Sequence, residues 1–296
     1  MQWKSILALC LMIATFIPLQ ASTLALWGFN EGSGNTAYDL SGNNNNLSFS
    51  SGSLFSSNSP FSGGSSLVAS NSGSTAAGSG TSLNVTGNVL TMEAWVKISA
   101  PNTTSQKFAH IVSKSSGSSA DQPYWFGLEN RVGGSFVNDR WQFEYLFTDQ
   151  DGTRVHNQST NLYLSGSLLN QWVHLAIVYD GRSSTNAATV TLYINGSPTV
   201  FTSHSGTSIQ KTGADSTLRG NLLASEANLS FGAGGWGQDY WVDELRLSDA
   251  VLAPGTGSGI NQLAFNANLA PVPEAQTWIV FVLGLLFVSI FKQYLR

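Results

Sequence analysis

Short runs of aromatic and β-branched residues recur along most of the chain, and they limit it to a β-rich fold. The six clearest runs are LALWGFNE, LTMEAWVKI, RWQFEYLFT, QWVHLAIVYD, ATVTLYI and YWVDELRLS. Asp151-Gly152 and Asn195-Gly196 follow two of the strand-like stretches, and such dipeptides supply the positive φ angles of tight hairpin turns. We find no amphipathic helix pattern. The sequence predicts an all-β fold, a two-sheet antiparallel β-sandwich of the jelly-roll type.

The first 21 residues have the pattern of a secretory signal peptide. Lys4 precedes twelve apolar residues (6–17), and Ala21 is a small residue at the exit of this helix-forming run. We expect cleavage after Ala21 and export of the remainder. The only cysteine, Cys10, lies inside the signal, so residues 22–296 can form neither a disulfide nor a thiolate zinc site.

Residues 22–269 are the candidate globular part. They carry ten Lys and Arg against sixteen Asp and Glu, a net charge of −6, which argues against a nucleic-acid partner. No proline-rich linker or charge run divides them, so we expect one domain, with two smaller domains as the alternative. Residues 48–82 are rich in Ser and Gly; we interpret them as long loops with short strands, and a disordered segment is the alternative.

The C-terminal tail, residues 270–296, contains an uncharged apolar run. Residues 275–291 would form a helix about 25 Å long, near the lower limit for crossing a membrane. We expect a transmembrane helix over about 277–291, with Lys292 and Arg296 on the cytoplasmic side. A buried core helix and a removable lipid-anchor signal are the alternatives, and the terminal charges count against the second.

The order of the strand motifs resembles that of laminin G-like domains, which have the concanavalin A-like jelly roll. LWGFNEGSGNTAYDLSGNNNNLSF resembles the first strand, the Asp-x-Ser-Gly turn and the Asn-rich loop of that family, and LTMEAWVK resembles the strand that carries its tryptophan, here Trp95. IVSK, YWFGL, QWVHLAIVYD and LYING resemble the central sheet, and LSFGAG with YWVDELRLSDAVL the closing strands. The resemblance covers nearly all of residues 25–252 and implies a jelly roll whose relatives include glycosidases.

The tail resembles the PEP-CTERM sorting signal of bacteria, which has a Val-Pro-Glu motif, one membrane span and a basic end. Val272, Pro273 and Glu274 match the motif, and Lys292 and Arg296 form the basic end. The resemblance implies that an exosortase recognises and removes the tail after transient anchoring in the inner membrane. The protein would then be secreted or reach the cell surface or extracellular matrix of a Gram-negative bacterium that makes exopolysaccharide.

The sequence offers no carboxylate pair suited to glycoside hydrolysis, which needs two carboxylates flanking the scissile bond. The close acidic pairs along the chain are Asp149/Asp151 and Asp243/Glu244. Adjacent residues of a strand point to opposite faces, so Asp243 and Glu244 are not expected to act on one substrate. We therefore predict no catalytic residues and no enzyme activity, with a glycoside hydrolase as the alternative.

Four aromatic residues at or near predicted loops are candidates for binding a sugar ring: Trp125, Tyr124, Trp236 and Tyr240. The alternative is that these rings close the ends of the sandwich. Together, the features predict an exported, non-catalytic protein of the cell surface or polysaccharide matrix that binds a glycan or acts as an adhesive. A purely structural matrix component is a further alternative.

We also predict a structural calcium ion at the junction of the first and last strands. Simple alternation places Glu31 and Asp243 on apolar strand faces, where an ionised carboxylate is costly unless it is paired. Asp39 adds a carboxylate among turn residues that suit a cation needing 6–8 oxygen ligands. The alternative is that Arg246, Lys97 or backbone N–H groups satisfy each carboxylate separately.

Overall fold

The structure, a computed structural model, describes residues 23–49, 54–69, 74–77, 83–115, 121–132, 134–183, 187–199, 218–231 and 239–254. The predicted signal peptide, transmembrane helix and sorting motif lie outside these ranges. Within the ranges, we find no helix that combines the length and the apolar character needed to cross a membrane.

Strands account for most of the regular structure in the described ranges. In chain order they are β1 (Thr23–Trp27), β2 (Thr36–Ala37), β3 (Leu47–Phe49), β4 (Phe55–Ser56), β5 (Ser66–Ala69), β6 (Ser74–Ala77), β7 (Val89–Ile98), β8 (Phe108–Lys114), β9 (Tyr124–Glu129), β10 (Arg131–Val132), β11 (Ser135–Phe136), β12 (Arg140–Thr148), β13 (Arg154–Ser165), β14 (Trp172–Asp180), β15 (Thr189–Ile194), β16 (Ser197–Thr199), β17 (Leu229–Phe231) and β18 (Tyr240–Ser248). A short 3-10 turn, Gly166–Leu168, precedes β14.

Apart from β10 and β11, which pair with each other as a separate ribbon, these strands form two large antiparallel sheets, so the prediction of an all-β sandwich is confirmed. Sheet A has the order β16-β15-β14-β7-β18-β5-β4, and β1 also pairs with β18. Sheet B has the order β13-β12-β9-β8-β17-β6-β3-β2. The first and last strands therefore run side by side, as a jelly roll requires, with Trp27 of β1 opposite Leu245 of β18.

The core lies between the two sheets and follows from the two-residue period of the strands. In β7, Leu90, Met92, Ala94, Val96 and Ile98 all face the core and are almost fully buried. The residues between them are Thr91, Glu93, Trp95 and Lys97, a polar and aromatic set that faces the outer side of sheet A. The inner positions of sheet B supply further aromatic rings, and the Trp27 and Trp141 side chains are fully buried.

The hairpins form where the dipeptides predict them. Asn195 and Gly196 join β15 to β16 and have φ angles of 48° and 74°. Positive values at both positions match the tight turn whose twist suits a two-residue hairpin. Gly152, with φ 78°, lies in the turn between β12 and β13, where the Asp149 carboxylate accepts hydrogen bonds from the N–H groups of Asp151 and Thr153.

A β-bulge in β18 changes which face its residues occupy. The register against β7 shifts between Asp243 and Arg246, and Glu244 has a φ of 48°. Val242 and Leu245 both belong to the core cluster, although two residues separate them. Simple alternation was therefore wrong here, because the extra residue of the bulge leaves both Asp243 and Glu244 outside the inward-facing series. The argument that these two carboxylates must lie on opposite faces fails for the same reason.

Candidate functional site

Three neighbouring strands of sheet A carry a row of large side chains on the outer face of the sheet. Trp172 of β14 is opposite Lys97 of β7, and Lys97 is opposite Trp241 of β18. Trp95 is the next outward residue of β7, and all four side chains are partly exposed. We call Trp95, Lys97, Trp172 and Trp241 the tryptophan face. It presents three indole rings and one ammonium group on adjacent strands.

Two indole N–H groups of the tryptophan face have no hydrogen-bond partner within the described ranges. The Nε1 atoms of Trp95 and Trp172 are buried and have no acceptor among the described residues. An unpaired buried donor costs about 1–3 kcal/mol. By contrast, the two core indoles donate to backbone carbonyls: Trp27 to Asn45 at 2.9 Å and Trp141 to Ser99 at 2.8 Å.

The ring of Trp95 is held between two other rings. Phe61 contacts it edge-on with ring centroids 5.9 Å apart, and His174 does so at 5.5 Å. Such edge-to-face contacts fix ring orientation and are worth about 0.5–1.5 kcal/mol beyond the area they bury. Trp95 is thus held in one orientation, and only the part of the ring that these contacts leave exposed belongs to the accessible face.

A buried ion network lies behind this part of the face. Arg246 Nε donates to Glu93 Oε1 at 2.5 Å, and His174 Nε2 lies 3.0 Å from Glu93 Oε2. All three residues are almost inaccessible to solvent. Removing one member of such a network typically costs about 3–5 kcal/mol because it leaves an uncompensated buried charge. The network therefore holds His174, and through it Trp95, in one position.

Lys97 lies at the centre of the row. Its Nζ is 5.9 Å from the centroid of the Trp241 ring and 3.3 Å from the Asn58 Oδ1 atom. Within the described residues, Lys97 forms no salt bridge. A lysine ammonium has three donors, so this group retains hydrogen-bonding capacity toward the solvent side of the face.

Asp243 lies next to Trp241 on the outer side of β18 and is fully buried. Its carboxylate accepts hydrogen bonds from the Ser59 hydroxyl at 2.8 Å and from the Glu244 N–H at 2.9 Å. Burial raises the pKa of Asp243 to about 7, and repulsion from Glu31 adds to the rise. The hydrogen-bond partners of the Asp243 carboxyl are thus Ser59 and Glu244 rather than Lys97.

The three residues predicted to bind calcium have different surroundings. Glu31 lies beyond the end of β1 rather than on a strand face, because the strand ends at Trp27, and its Oε1 accepts the Tyr38 N–H at 2.8 Å. Asp39 organises the following turn: Oδ1 accepts the Leu26 and Ser41 N–H groups, and Oδ2 accepts the Asn45 N–H and the Ser41 hydroxyl.

In the described ranges, no three His, Cys, Asp or Glu side chains are placed to hold a metal. Asp39 fits the alternative in which protein N–H groups satisfy the carboxylate. The repulsion between Glu31 and Asp243 is the remaining local reason for a divalent cation. Calcium stays a prediction.

A thermal melt tests the calcium prediction. Calcium that binds only the folded state raises the melting temperature by mass action. We expect the wild type to melt a few degrees higher in millimolar calcium than in EDTA, on the order of the shift that 1 kcal/mol gives a domain of this size. The Asp243→Asn variant should melt equally in both buffers. Equal melting temperatures for the wild type would refute the ion.

The aromatic residues predicted to bind a sugar do not form one exposed surface. Tyr124 and Tyr240 are fully buried because they occupy inward positions of β9 and β18, and their hydroxyls donate to the carbonyls of Leu83 and His110. The prediction that these two residues bind a sugar is therefore wrong, and their burial agrees with the alternative that the rings close the sandwich. Trp236 lies outside the described residues. Trp125 is on the outer side of β9 but is only 8% exposed.

The outer face of sheet B brings together two carboxylates that are far apart in the sequence. Glu144 of β12 is opposite Gly127 of β9, which places it diagonally from Glu129. Burial raises the pKa of Glu129 to about 7, and repulsion from Glu144 adds to the rise. Glu129 accepts a hydrogen bond from Gln106 at 2.8 Å, and Glu144 lies 3.2 Å from the Nε2 atom of His156.

This pair was not predicted from the sequence, because the prediction considered only acidic residues that are close together along the chain. However, both Glu129 and Glu144 are fully buried. The ring of Trp125 lies over this region between His110 and His156, with centroids 4.8 and 4.9 Å away. In this arrangement a polysaccharide cannot reach either carboxylate, and both flanks of Trp125 are already occupied.

A family comparison fits this architecture. Residues 69–255, more than half of the chain, match the laminin G family described as the concanavalin A-like lectin/glucanases superfamily. The chain belongs to this family. Membership in the concanavalin A-like lectin/glucanases superfamily agrees with the two-sheet topology and with the sequence resemblance. No curated protein matches the sequence.

Solved structures with a similar arrangement are distant in sequence. The botulinum neurotoxin serotype G binding domain is 13% identical with a TM-score of 0.49, and the alignment covers 81% of this chain and 50% of that one. The binding domain of Paraclostridial Mosquitocidal Protein 1 is 16% identical with a TM-score of 0.47, covering 80% and 52%. The chain thus spans about half the length of the structures it matches.

The residues of the tryptophan face were not among the predicted site residues, although the sequence contained a signal for them. In TMEAWVK, every second residue (Thr91, Glu93, Trp95, Lys97) is polar or aromatic while the others are apolar. That alternation marks an outward series, and a tryptophan in an outward series is a surface candidate. The pairing of Lys97 with Trp172 and Trp241 depends on strand register, which the sequence did not specify.

Proposed function

We propose that this protein is an exported, non-catalytic component of the cell surface or extracellular matrix that binds polysaccharide through the tryptophan face. The observation that supports the proposal is the register of Trp172, Lys97 and Trp241 across three adjacent strands. A rigid sheet holds these side chains at strand spacing, about 4.8 Å per step. A row of that kind matches an extended ligand with repeated units.

The chemistry of the face suits a sugar chain. Indole rings are large, amphipathic contact surfaces that can pack against the C–H groups of a sugar ring. The Lys97 ammonium is a donor for hydroxyl or ring oxygens. Binding sites of this type combine aromatic surface with a few placed polar groups. A purely apolar partner would leave the Lys97 ammonium without an acceptor from the ligand.

Hydrolysis is the second candidate function, favoured by the proximity of Glu129 to Glu144. Glycosidases use one carboxyl as an acid and another as a base or nucleophile, with pKa values pushed apart by their surroundings. The raised pKa of Glu129 fits such a role. Complete burial argues against it, since a substrate must touch both groups. We therefore place binding before hydrolysis.

One experiment separates these two candidates. The full-length chain, kept in mild detergent because of its apolar C-terminal residues, is applied to affinity gels that contain soluble polysaccharides of differing linkage and charge. Retardation without release of reducing ends supports the binding function. Release of reducing ends that is abolished in Glu129→Gln would overturn the non-catalytic assignment. Absence of retardation on every gel would contradict the binding function.

Export and sorting form a separate part of the proposal and rest on the two chain ends. In a host that contains an exosortase, we expect the secreted protein to lack the residues beyond about Glu274. In a host without the enzyme it should remain in the membrane fraction, because the apolar run is long enough to anchor it. Mass spectrometry of the C-terminal peptide decides the point. Secreted protein that still ends at Arg296 would contradict the sorting role.

A further inference from the structure

Lys97 gives the tryptophan face a charge that neutral sugars would not need. The ammonium lies between two indoles in the register of the sheet, with Trp172 on one side and Trp241 on the other. The Asn58 side chain is neutral, so the hydrogen bond that it accepts from Lys97 does not neutralise the ammonium. The lysine is therefore placed by the fold at the middle of the row rather than at its rim.

Two carboxylates near Lys97 are engaged by other residues. Asp243, two residues beyond Trp241, accepts hydrogen bonds from Ser59 and Glu244. Glu93, on the same strand and the same side as Lys97, is bound by Arg246 and His174. An ammonium that has no carboxylate partner within the described residues remains available to an anionic group of a ligand.

We infer that the tryptophan face binds an anionic polysaccharide, with Lys97 receiving a carboxylate or other acidic substituent while the flanking indoles pack against the sugar rings. The inference rests on the proposed binding function and names the ligand class of that site. The net negative charge of the chain opposes the approach of an anionic polymer at long range, so the inference depends on the local contact with Lys97.

The test compares two polymers that have the same backbone and differ in charge: polygalacturonate and its fully methyl-esterified form. For the wild type we expect about tenfold tighter binding of the acidic polymer, as expected for one hydrogen bond to a charged group. The preference should shrink in about 0.5 M NaCl because salt screens a partly exposed charge.

Three variants separate the role of the charge from that of the fold. Lys97→Met keeps the aliphatic stem and should bind both polymers equally, whereas Lys97→Arg should retain the preference. Lys107→Met is the matched control: it removes one positive charge outside the tryptophan face and should leave the preference unchanged.

Equal binding of both polymers by the wild type would overturn the inference and leave the binding function standing. Failure of the wild type to bind either polymer, with binding of a neutral glycan on the affinity gels, would also overturn the inference. Failure on all gels would overturn both proposals.

Discussion

Replacing Trp172 and Trp241 together with alanine is expected to abolish measurable polysaccharide binding while the protein stays folded. Tryptophans at the centre of an interface typically contribute about 2 kcal/mol or more each, so a single replacement should weaken binding about 30-fold. The double variant should lose at least about 100-fold, since neighbouring contacts are not strictly additive. Affinity electrophoresis of the full-length chain gives the change directly.

The control for this experiment is Tyr38→Ala. Tyr38 is the most exposed large aromatic residue among those described, at 57%. It directly follows β2 in sheet B and so lies away from the outer face of sheet A. Its replacement should leave binding unchanged. Thermal melts of all variants show whether the fold is intact. Wild-type affinity in the folded double variant would contradict the assignment of the tryptophan face.

The second large effect is a dependence of stability on pH. Burial raises the pKa of Asp243 and of Glu129 to about 7 in the folded state. The unfolded state releases these protons near pH 4, so between about pH 4 and pH 7 the folded state binds more protons than the unfolded state. Their contribution to the free energy of unfolding is therefore fully present below about pH 4. It is lost as the pH rises through about 7.

Amide variants isolate this effect. Each pKa unit corresponds to about 1.4 kcal/mol, so Asp243→Asn should gain up to about 4 kcal/mol over the wild type at about pH 8, and almost nothing at about pH 4. Glu129→Gln should show the same pH dependence, with a gain in stability of up to about 3 kcal/mol at about pH 8. Urea unfolding in EDTA at a series of pH values measures the difference in the free energy of unfolding between each variant and the wild type. Burial lowers the pKa of His110, which changes stability in the opposite direction, but this contribution is common to both proteins and cancels in the difference.

Asp139→Asn is the matched control for the pH series. Asp139 is exposed, and its hydrogen bond with Arg140 lowers the pKa of Asp139. The amide variant should therefore give no gain in stability at any pH. If Asp243→Asn shows the same flat profile as the control, the carboxyl of Asp243 is not buried in the way described.

Strand composition and turn dipeptides predicted the sandwich because both act locally. Asn195-Gly196 forms the expected hairpin, and the QWVHLAIVYD run is buried on both sides as β14. The site was less predictable because it depends on register between strands that are distant in the sequence. Trp172 meets Lys97 across 75 residues of chain, and no local pattern specifies that pairing.

The errors at Asp243 and Glu31 have a local physical cause. Alternation assumes a regular strand, and a bulge with a positive φ at Glu244 interrupts it. Likewise β1 ends at Trp27, and Phe29 has a φ of 47°, so Glu31 never continues the strand. Glu and Phe seldom adopt a positive φ, so neither Glu244 nor Phe29 could be predicted to do so from the sequence. Tyr124 and Tyr240 are buried because they belong to the alternating set of residues that faces the core. The sequence did not show which set that is, because both sets of each strand contain large apolar residues.

In the proposed binding mode, the outer face of sheet A contacts the ligand at Trp95, Trp172 and Trp241. Nuclear magnetic resonance of the indole N–H groups, in protein labelled with nitrogen-15 at tryptophan, detects this contact residue by residue. On titration with an oligogalacturonate, we expect the Trp95, Trp172 and Trp241 signals to shift. The signals of Trp27 and Trp141, whose N–H groups donate to core carbonyls, should remain in place. Shifts confined to Trp125 or Trp236, with the three signals of the tryptophan face unchanged at saturating ligand, would contradict it.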